Sequence, residues 1–164
     1  MKDKAMPKEE FHFHTTLRVR WADCDAQGIV YYPVYLTWVE VALSDYCRHL
    51  GFRLYHLAEL NLFDTVTARA AITYKAPARL DDLVEVYARA ARVGNTSITF
   101  AYEMYRQGEA PLLAQAEVVY VSYDNKAQRP RRTPEEVREV FSHFEATGNR
   151  LPLERFPLFS GALA

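Results

Sequence analysis

"WADCDAQGIVYYPVYLTWVE", residues 21–40, contains the point at which the chain changes period. From Pro33 onward apolar residues recur every three or four positions: Tyr35, Val39, Ala42, Tyr46 and Leu50, with Leu36, Leu43 and Cys47 widening the stripe. That spacing predicts an α-helix. Pro33 suits its first position, where a missing N–H is no loss, and Gly51 suits the position just past its end. The helix is expected to run about 18 residues, roughly 27 Å. Its apolar stripe is broad, so most of it must be enclosed by something else.

Upstream, in "FHFHTTLRVRW", Phe11, Phe13, Leu17, Val19 and Trp21 alternate with polar residues, which predicts a strand with one buried face. "FRLYHLAEL" is compatible with a short helix. Four strand-like runs follow. In "TVTARAAITYKA" (65–76) the shared face is Val66, Ala68, Ala70, Ile72 and Tyr74. "LVEVYARAARV" (83–93) and "TSITFAYEMYRQ" (96–107) flank Gly94-Asn95, which reads as a two-residue type II′ hairpin with Gly at positive φ. "LLAQAEVVYVSYD" (112–124) is the last long strand. In "TPEEVREVFSHF" the helical period returns, with Thr133 as cap, Glu136 completing a capping box, and Val137, Val140, Phe141 and Phe144 inward.

Strand, long helix, four successive strands, terminal helix: hairpin-length connections imply a mainly antiparallel sheet. A helix with a broad stripe and one such sheet bury each other if the sheet curves around the helix. The expected class is α+β, a long central helix wrapped by about five antiparallel strands plus a C-terminal helix. Residues 1–10 read as a flexible leader, 11–146 as a single domain and 147–164 as a tail. The apolar tail, broken by Pro152 and Pro157, reads as a frayed end or a segment docked on a neighbouring subunit.

The 164 residues carry a formal net charge of −1, which gives no electrostatic case for nucleic acid or an anionic membrane. No apolar run approaches a membrane span, and the charged start "MKDKAMPKEE" is unlike a secretory signal. Two cysteines, Cys24 and Cys47, make no disulfide framework and fit a reducing compartment, so the expected location is cytoplasmic.

The chemistry concentrates before the helix, where Asp23, Cys24 and Asp25 precede Gly28. A calcium loop beginning at Asp23 would need its closing acid at Val34, and His12 with His14 lack a third ligand, so no metal site is expected. Acids on both sides of Cys24 disfavour a thiolate nucleophile. The carboxylates remain. The first N–H groups of a helix lack internal partners and carry partial positive charge, so they suit a developing oxyanion. Pro33 cannot donate, which leaves the N–H of Tyr32; Gly28 lets the chain reverse and lets a ligand approach its backbone. A carboxylate opposite a carbonyl so polarised suits acyl transfer or hydrolysis. Asp residues that merely cap turns produce the same pattern.

"DCDAQGIVYYPVYLTWVE" resembles the D-x-D-x-x-G-I/V-V-x-Y-x-x-Y signature of hotdog-fold acyl-CoA thioesterases, above all the 4-hydroxybenzoyl-CoA thioesterase type. "ITYKAPARLDDLVEV", "VGNTS" and "VVYVSYDNKAQRPRRTPEEV" extend the likeness over most of the chain. The resemblance implies a homodimer or homotetramer with acyl-CoA held at the subunit interface and no metal or other cofactor. It implies Asp25 as nucleophile or general base, the Tyr32 N–H as the amide polarising the carbonyl, and Asp23 as a supporting residue. Gly28, Tyr31, Glu40 and Ser97 fall at substrate-binding positions. This chain departs from the Tol–Pal-associated branch in having Tyr32 where that branch has His. It also lacks the basic cluster of the 4-hydroxybenzoyl type at the hairpin, where Arg92 stands alone; Arg129, Arg131 and Arg132 are candidates to replace it. Related architectures include acyl-thioester hydratases, which need a His at the helix mouth, and non-catalytic acyl-CoA binding modules.

Overall fold

The computed structural model describes residues 8–160. The central helix α1 spans Val34–Leu50 and ends on Gly51, whose φ of 107° lets its N–H and that of Phe52 close on the last turn. Tyr35, Trp38, Val39, Ala42, Leu43, Tyr46, Cys47 and Leu50 are buried. Leu36, expected in the stripe, is instead 39 % exposed, because the sheet leaves one side of α1 uncovered.

The sheet comprises β1 (His14–Arg18), β2 (Thr65–Tyr74), β3 (Leu83–Val93), β4 (Ser97–Arg106) and β5 (Leu112–Asp124), ordered β1-β3-β4-β5-β2 and antiparallel throughout. A two-residue β6 (Arg129–Pro130) pairs with the end of β5. A short α2 (Leu54–Glu59) follows α1, and α3 (Glu135–Thr147) packs beside β3. Val84, Val86, Ala88, Ile98, Phe100, Tyr102, Ala116 and Val118 form the concave wall against α1. The α+β arrangement, a long helix wrapped by one short and four long strands with a helix near the C-terminus, is the hotdog fold.

Local chemistry alters several expectations. The first strand is only five residues, and Trp21, expected inward, is 83 % exposed in a 3-10 turn (Trp21–Asp23). A bulge at Ala68 reverses the facing of β2: Thr65 and Thr67 sit opposite Ser122 and Tyr120, while Ala70, Ile72 and Tyr74 sit opposite Val118, Ala116 and Ala114. Val66 therefore points outward. Gly94 does not take positive φ; its N–H bonds the Ser97 carbonyl at 2.8 Å, and a Cβ there would lie 2.9 Å from that oxygen. The corner is thus Asn95-Thr96, and close approach is what excludes a side chain at 94. Thr133 does not cap α3, because its hydroxyl meets Ser122 at 2.6 Å where both residues are fully buried. Of the leader, residues 8–10 form a turn whose Lys8 ammonium stands 4.0 Å from the Tyr105 ring centroid, and residues 1–7 lie outside the described residues. Up to residue 160 the tail packs on its own chain. Leu153, Phe156 and Phe159 are buried, with Phe159 5.0 Å from Phe52.

One half-buried carboxylate joins three elements. Glu145 of α3 accepts the Tyr46 hydroxyl of α1 at 2.5 Å and the Ala90 N–H of β3 at 2.8 Å, beside the bulge between Ala90 and Arg92. Burial pushes the Glu145 carboxyl above the usual range, against the pull of those donors and of Arg89. Glu145→Ala is expected to leave two buried groups unpaired and lower stability by about 3 kcal/mol, while Glu145→Gln retains both acceptor bonds and most of the stability. Because the folded pKa is raised, wild-type stability falls as pH rises through the unfolded and then the folded value of Glu145, and the Gln variant removes that slope. Urea denaturation of the three proteins between pH 4 and pH 8 checks both points.

Candidate active site

Residues 24–30 form a small hairpin at the foot of α1. The Asp25 N–H bonds the Ile29 carbonyl at 2.9 Å, the Gly28 N–H bonds the Asp25 carbonyl at 3.0 Å, and Cys24 bridges Val30. Gly28 has φ 73°, the left-handed conformation a tight reversal of this length requires. The Asp25 carboxylate accepts the Gln27 N–H on Oδ1 at 2.8 Å. Among the described residues, no donor reaches its other oxygen.

Asp23 is 3 % exposed and structural in its bonding. Its carboxylate accepts the Arg20 backbone N–H at 2.8 Å and the Arg20 guanidinium at 2.8 and 3.3 Å, and its carbonyl accepts the Tyr31 N–H at 2.8 Å. The Arg20 guanidinium holds the Asp23 carboxyl below its ordinary range.

The Tyr31–Tyr32 peptide is fixed from both sides. Its carbonyl accepts the Val34 N–H at 2.9 Å, the first turn of α1, and the preceding N–H is tied to Asp23. A planar trans peptide points its N–H opposite to its carbonyl, so the Tyr32 N–H is turned away from the helix body. Among the described residues it has no acceptor. Next to it, the Tyr74 hydroxyl donates to the Tyr32 carbonyl at 2.8 Å, and the Tyr35 hydroxyl accepts the Ala78 N–H at 3.0 Å. Burial raises the pKa of both phenols, which remain neutral. Sequence reading missed Tyr35 and Tyr74 as positioning groups; the signal was a tyrosine on the inner face of each element, where a hydroxyl must find a partner.

A groove of about 290 Å³ opens at this point, lined by Ile29, Val30, Tyr32, Tyr35, Tyr74 and Lys75 among others. The turn that carries Asp25 thus supplies one wall, and the start of α1 another. Gly28, Tyr31 and Tyr32 are solvent-exposed beside it.

Within one chain the remaining candidates are elsewhere. Glu40 lies two turns along α1 on its uncovered side, where it accepts the Ser44 hydroxyl at 3.3 Å. Ser97 opens β4, whereas the other end of that strand, Arg106, bonds Asp82 and the Pro77 carbonyl near the Asp25 hairpin. Ser97 is therefore roughly 30 Å away along β4. Arg131 is drawn into the loop after α2, donating to the Asn61 carbonyl at 2.8 Å, and Arg132 lies 3.6 Å from Glu135.

A curled antiparallel sheet around one long helix defines a hotdog protein, and a carboxylate hairpin and a free amide stand where that helix begins. The Thioesterase superfamily model matches residues 27–113, and the chain belongs to that family. It is 34% identical over 130 residues to the acyl-CoA thioester hydrolase YbgC of Escherichia coli O6:H1, a match spanning 79% of this chain and 95% of that one. It is 32% identical over 133 residues to the acyl-CoA thioesterase YbgC of Haemophilus influenzae, covering 81% and 96%. The crystal structure of the hypothetical protein TT1821 from Thermus thermophilus superposes with a TM-score of 0.72 at 29% identity, over 79% of this chain and 97% of that one.

The Asp23–Arg20 pair carries a pH dependence. A carboxyl whose folded pKa is lowered contributes stability that is complete above its unfolded value and is lost as pH falls through the folded one. Asp23→Asn is therefore expected to lower the denaturant midpoint most at neutral pH, with the gap to wild type closing below about pH 4. A gap equally wide at pH 7 and pH 3 would contradict that ionic role.

Proposed function

We propose that this protein hydrolyses the thioester bond of an acyl-CoA to the free acid and CoA, in the cytoplasm and at sites shared between two copies of the chain. The observation that carries the reading is the pinned Tyr31–Tyr32 peptide, whose outward N–H has no acceptor among the described residues and stands at the start of α1 beside the Asp25 hairpin. The YbgC relatives, named for acyl-CoA thioester hydrolysis, support it.

In this reading the thioester carbonyl oxygen accepts the Tyr32 N–H, and the partial positive charge of the helix start stabilises the negative charge that develops there. Gly28 and Tyr31 border the bound acyl-CoA. As general base, Asp25 takes a proton from water while the hydroxide oxygen adds to the carbonyl carbon. The tetrahedral intermediate then breaks its C–S bond, and the proton held on Asp25 passes to the departing CoA thiolate. As nucleophile, Asp25 instead displaces CoA thiolate to form a mixed anhydride, which one water hydrolyses. Both routes consume one water and need no redox group, since a thioester is already activated toward attack.

Sharing between copies follows from the edge of the sheet. β2 is a ten-residue edge strand with Val66 40 % and Tyr74 41 % exposed, and the uncovered side of α1 next to it presents Leu36. An unpaired edge of that length and apolarity is a template for strand addition. Antiparallel pairing of β2 with a second β2 sets the Tyr74 end of one chain by the Thr65 end of the other. Glu40 and Ser97 of one copy then approach the partner's hairpin, where Glu40 faces the acyl group. Two such pairs would make a tetramer.

Asp25→Asn keeps an oxygen for the Gln27 N–H and is expected to keep the fold while reducing kcat by about 10²–10⁴. Thiol release from a panel of acyl-CoA thioesters checks this, and an unimpaired Asn variant would leave Asp25 with only its turn-forming role. Tyr32→Phe and Tyr32→Ala, which preserve the backbone N–H, are expected to stay within a few-fold of wild type. For the shared site, refolding a mixture of Asp25→Asn and Glu40→Ala chains is expected to restore activity above either protein alone, because one site of each hybrid is intact. Hybrids isolated by differential tagging that regain nothing would place each site within a single chain.

A further inference from the structure

The peptide that carries the Tyr32 N–H lies between two others, and different parts of the molecule anchor them. Upstream, the Tyr31 N–H donates to the Asp23 carbonyl at 2.8 Å. Downstream is the Tyr32–Pro33 peptide, which has no N–H of its own. Among the described residues its one hydrogen bond is that from the Tyr74 hydroxyl to the Tyr32 carbonyl, at 2.8 Å. The Tyr32 side chain restrains the backbone little, being 63 % exposed. The torsions of residue 32, and with them the direction of its N–H, therefore depend on a phenol that comes from the sheet.

That phenol is rigidly mounted. Tyr74 ends β2 opposite Ala114, and the next two N–H groups, of Lys75 and Ala76, close on the Leu113 carbonyl at 2.8 and 3.1 Å. Its ring stands nearly perpendicular to that of Tyr35, 5.2 Å away, and to that of Tyr32, 6.4 Å away. Tyr35 is 2 % exposed and its hydroxyl accepts the Ala78 N–H at 3.0 Å. The Ala78 carbonyl in turn accepts the Val30 N–H of the Asp25 hairpin at 2.9 Å. One run of contacts thus joins the end of β2, the start of α1 and the hairpin.

We propose that Tyr74 is a positioning residue for thioester hydrolysis: by holding the Tyr32 carbonyl, it aims the Tyr32 N–H at the oxygen of the reacting carbonyl. The assignment rests on the acyl-CoA reading above and deepens it. In this role Tyr74 acts through the Tyr32 backbone and need not touch the reacting atoms. A hydrogen bond weakens steeply as it departs from linearity. A released Tyr32 carbonyl is also free to turn its own negative end toward the developing oxyanion. Losing an oxyanion donor outright costs on the order of 10²–10³ in kcat, so misaiming one is expected to cost about tenfold. Because that charge develops only in the transition state, the loss falls on kcat and leaves KM nearly unchanged.

Tyr74→Phe tests this, because it keeps both ring contacts and removes only the hydroxyl. The lost bond is solvent-exposed, so the variant is expected to melt with wild type. Its kcat on acetyl-, hexanoyl- and benzoyl-CoA is expected to fall about tenfold at nearly constant KM. The companion readout is the infrared stretch of these thioesters, labelled at the carbonyl carbon and bound to Asp25→Asn so that turnover is slow. That stretch is expected below its frequency in water, and adding Tyr74→Phe is expected to return part of the shift. A folded Tyr74→Phe with the kcat of wild type would overturn the positioning role and leave the hydrolase reading standing. So would a kcat that falls while the bound carbonyl stretch stays in place, since a merely structural residue predicts that pattern. Thioesters that wild type binds and does not hydrolyse remove the hydrolase reading, and the carbonyl stretch then still decides whether Tyr74 aims the amide. Thioesters that neither bind nor turn over remove both.

Discussion

A helix that is apolar on most of its circumference cannot rest on a flat sheet. Enclosing Tyr46, which is fully buried about one turn before the end of α1, requires β3 and β4 beneath it and α3 at its side. The curl that achieves this is assisted by bulges, one in β2 near Ala68 and one in β3 near Ala91, since an extra residue bends a strand and sharpens its twist. At the second bulge Glu145 accepts the Ala90 N–H and the Tyr46 hydroxyl with one oxygen. The same carboxylate thus satisfies the irregular backbone and the buried phenol, so α1, α3 and the sheet fix one another.

Five strands still do not close around a helix. The uncovered sector of α1, with Leu36, Thr37 and Glu40, and the free edge of β2 both lie on the side the curl leaves open. The site inherits that geometry. The backbone donor proposed for it comes from the start of α1, the end of the helix where partial positive charge collects, and the proposed carboxylate comes from a hairpin held by Asp23 and Ala78 rather than by the sheet itself. The pair of tyrosines on the inner face, Tyr35 and Tyr74, secure the surrounding backbone by ordinary hydrogen bonds. Rigidity at the helix start and openness at the sheet edge are two consequences of one incomplete enclosure.

What could be read from the sequence was what depends on period and on local backbone chemistry. The stripe from Tyr35 to Leu50, the stop at Gly51, the four long strands and the inward face of α3 all follow from spacing, and each is present. The hairpin with Gly28 at positive φ is likewise local. Errors arose where a residue had a tertiary competitor. Thr133 has the sequence of a cap, but a buried Ser122 hydroxyl claims it. Val66 has the phase of an inward residue, but a one-residue bulge inverts the phase behind it, and a bulge at Ala68 leaves no mark in an alternating run of Thr and Ala. The tail was opaque because Leu153, Phe156 and Phe159 acquire meaning only through contact with the far end of α1.

The separation of Glu40 and Ser97 from Asp25 within one chain bears on how such a site is divided. A group at the start of a helix and a group two turns along it face the same way but stand about 12 Å apart, too far to act on one carbonyl. Ser97 is farther still. A small ligand therefore cannot engage all of these residues in one copy, whereas the antiparallel pairing proposed along β2 would bring the end of one copy to the beginning of the other without moving any backbone. In the proposed arrangement the copy that supplies the Tyr32 amide and the Asp25 carboxylate is not the copy that supplies Glu40.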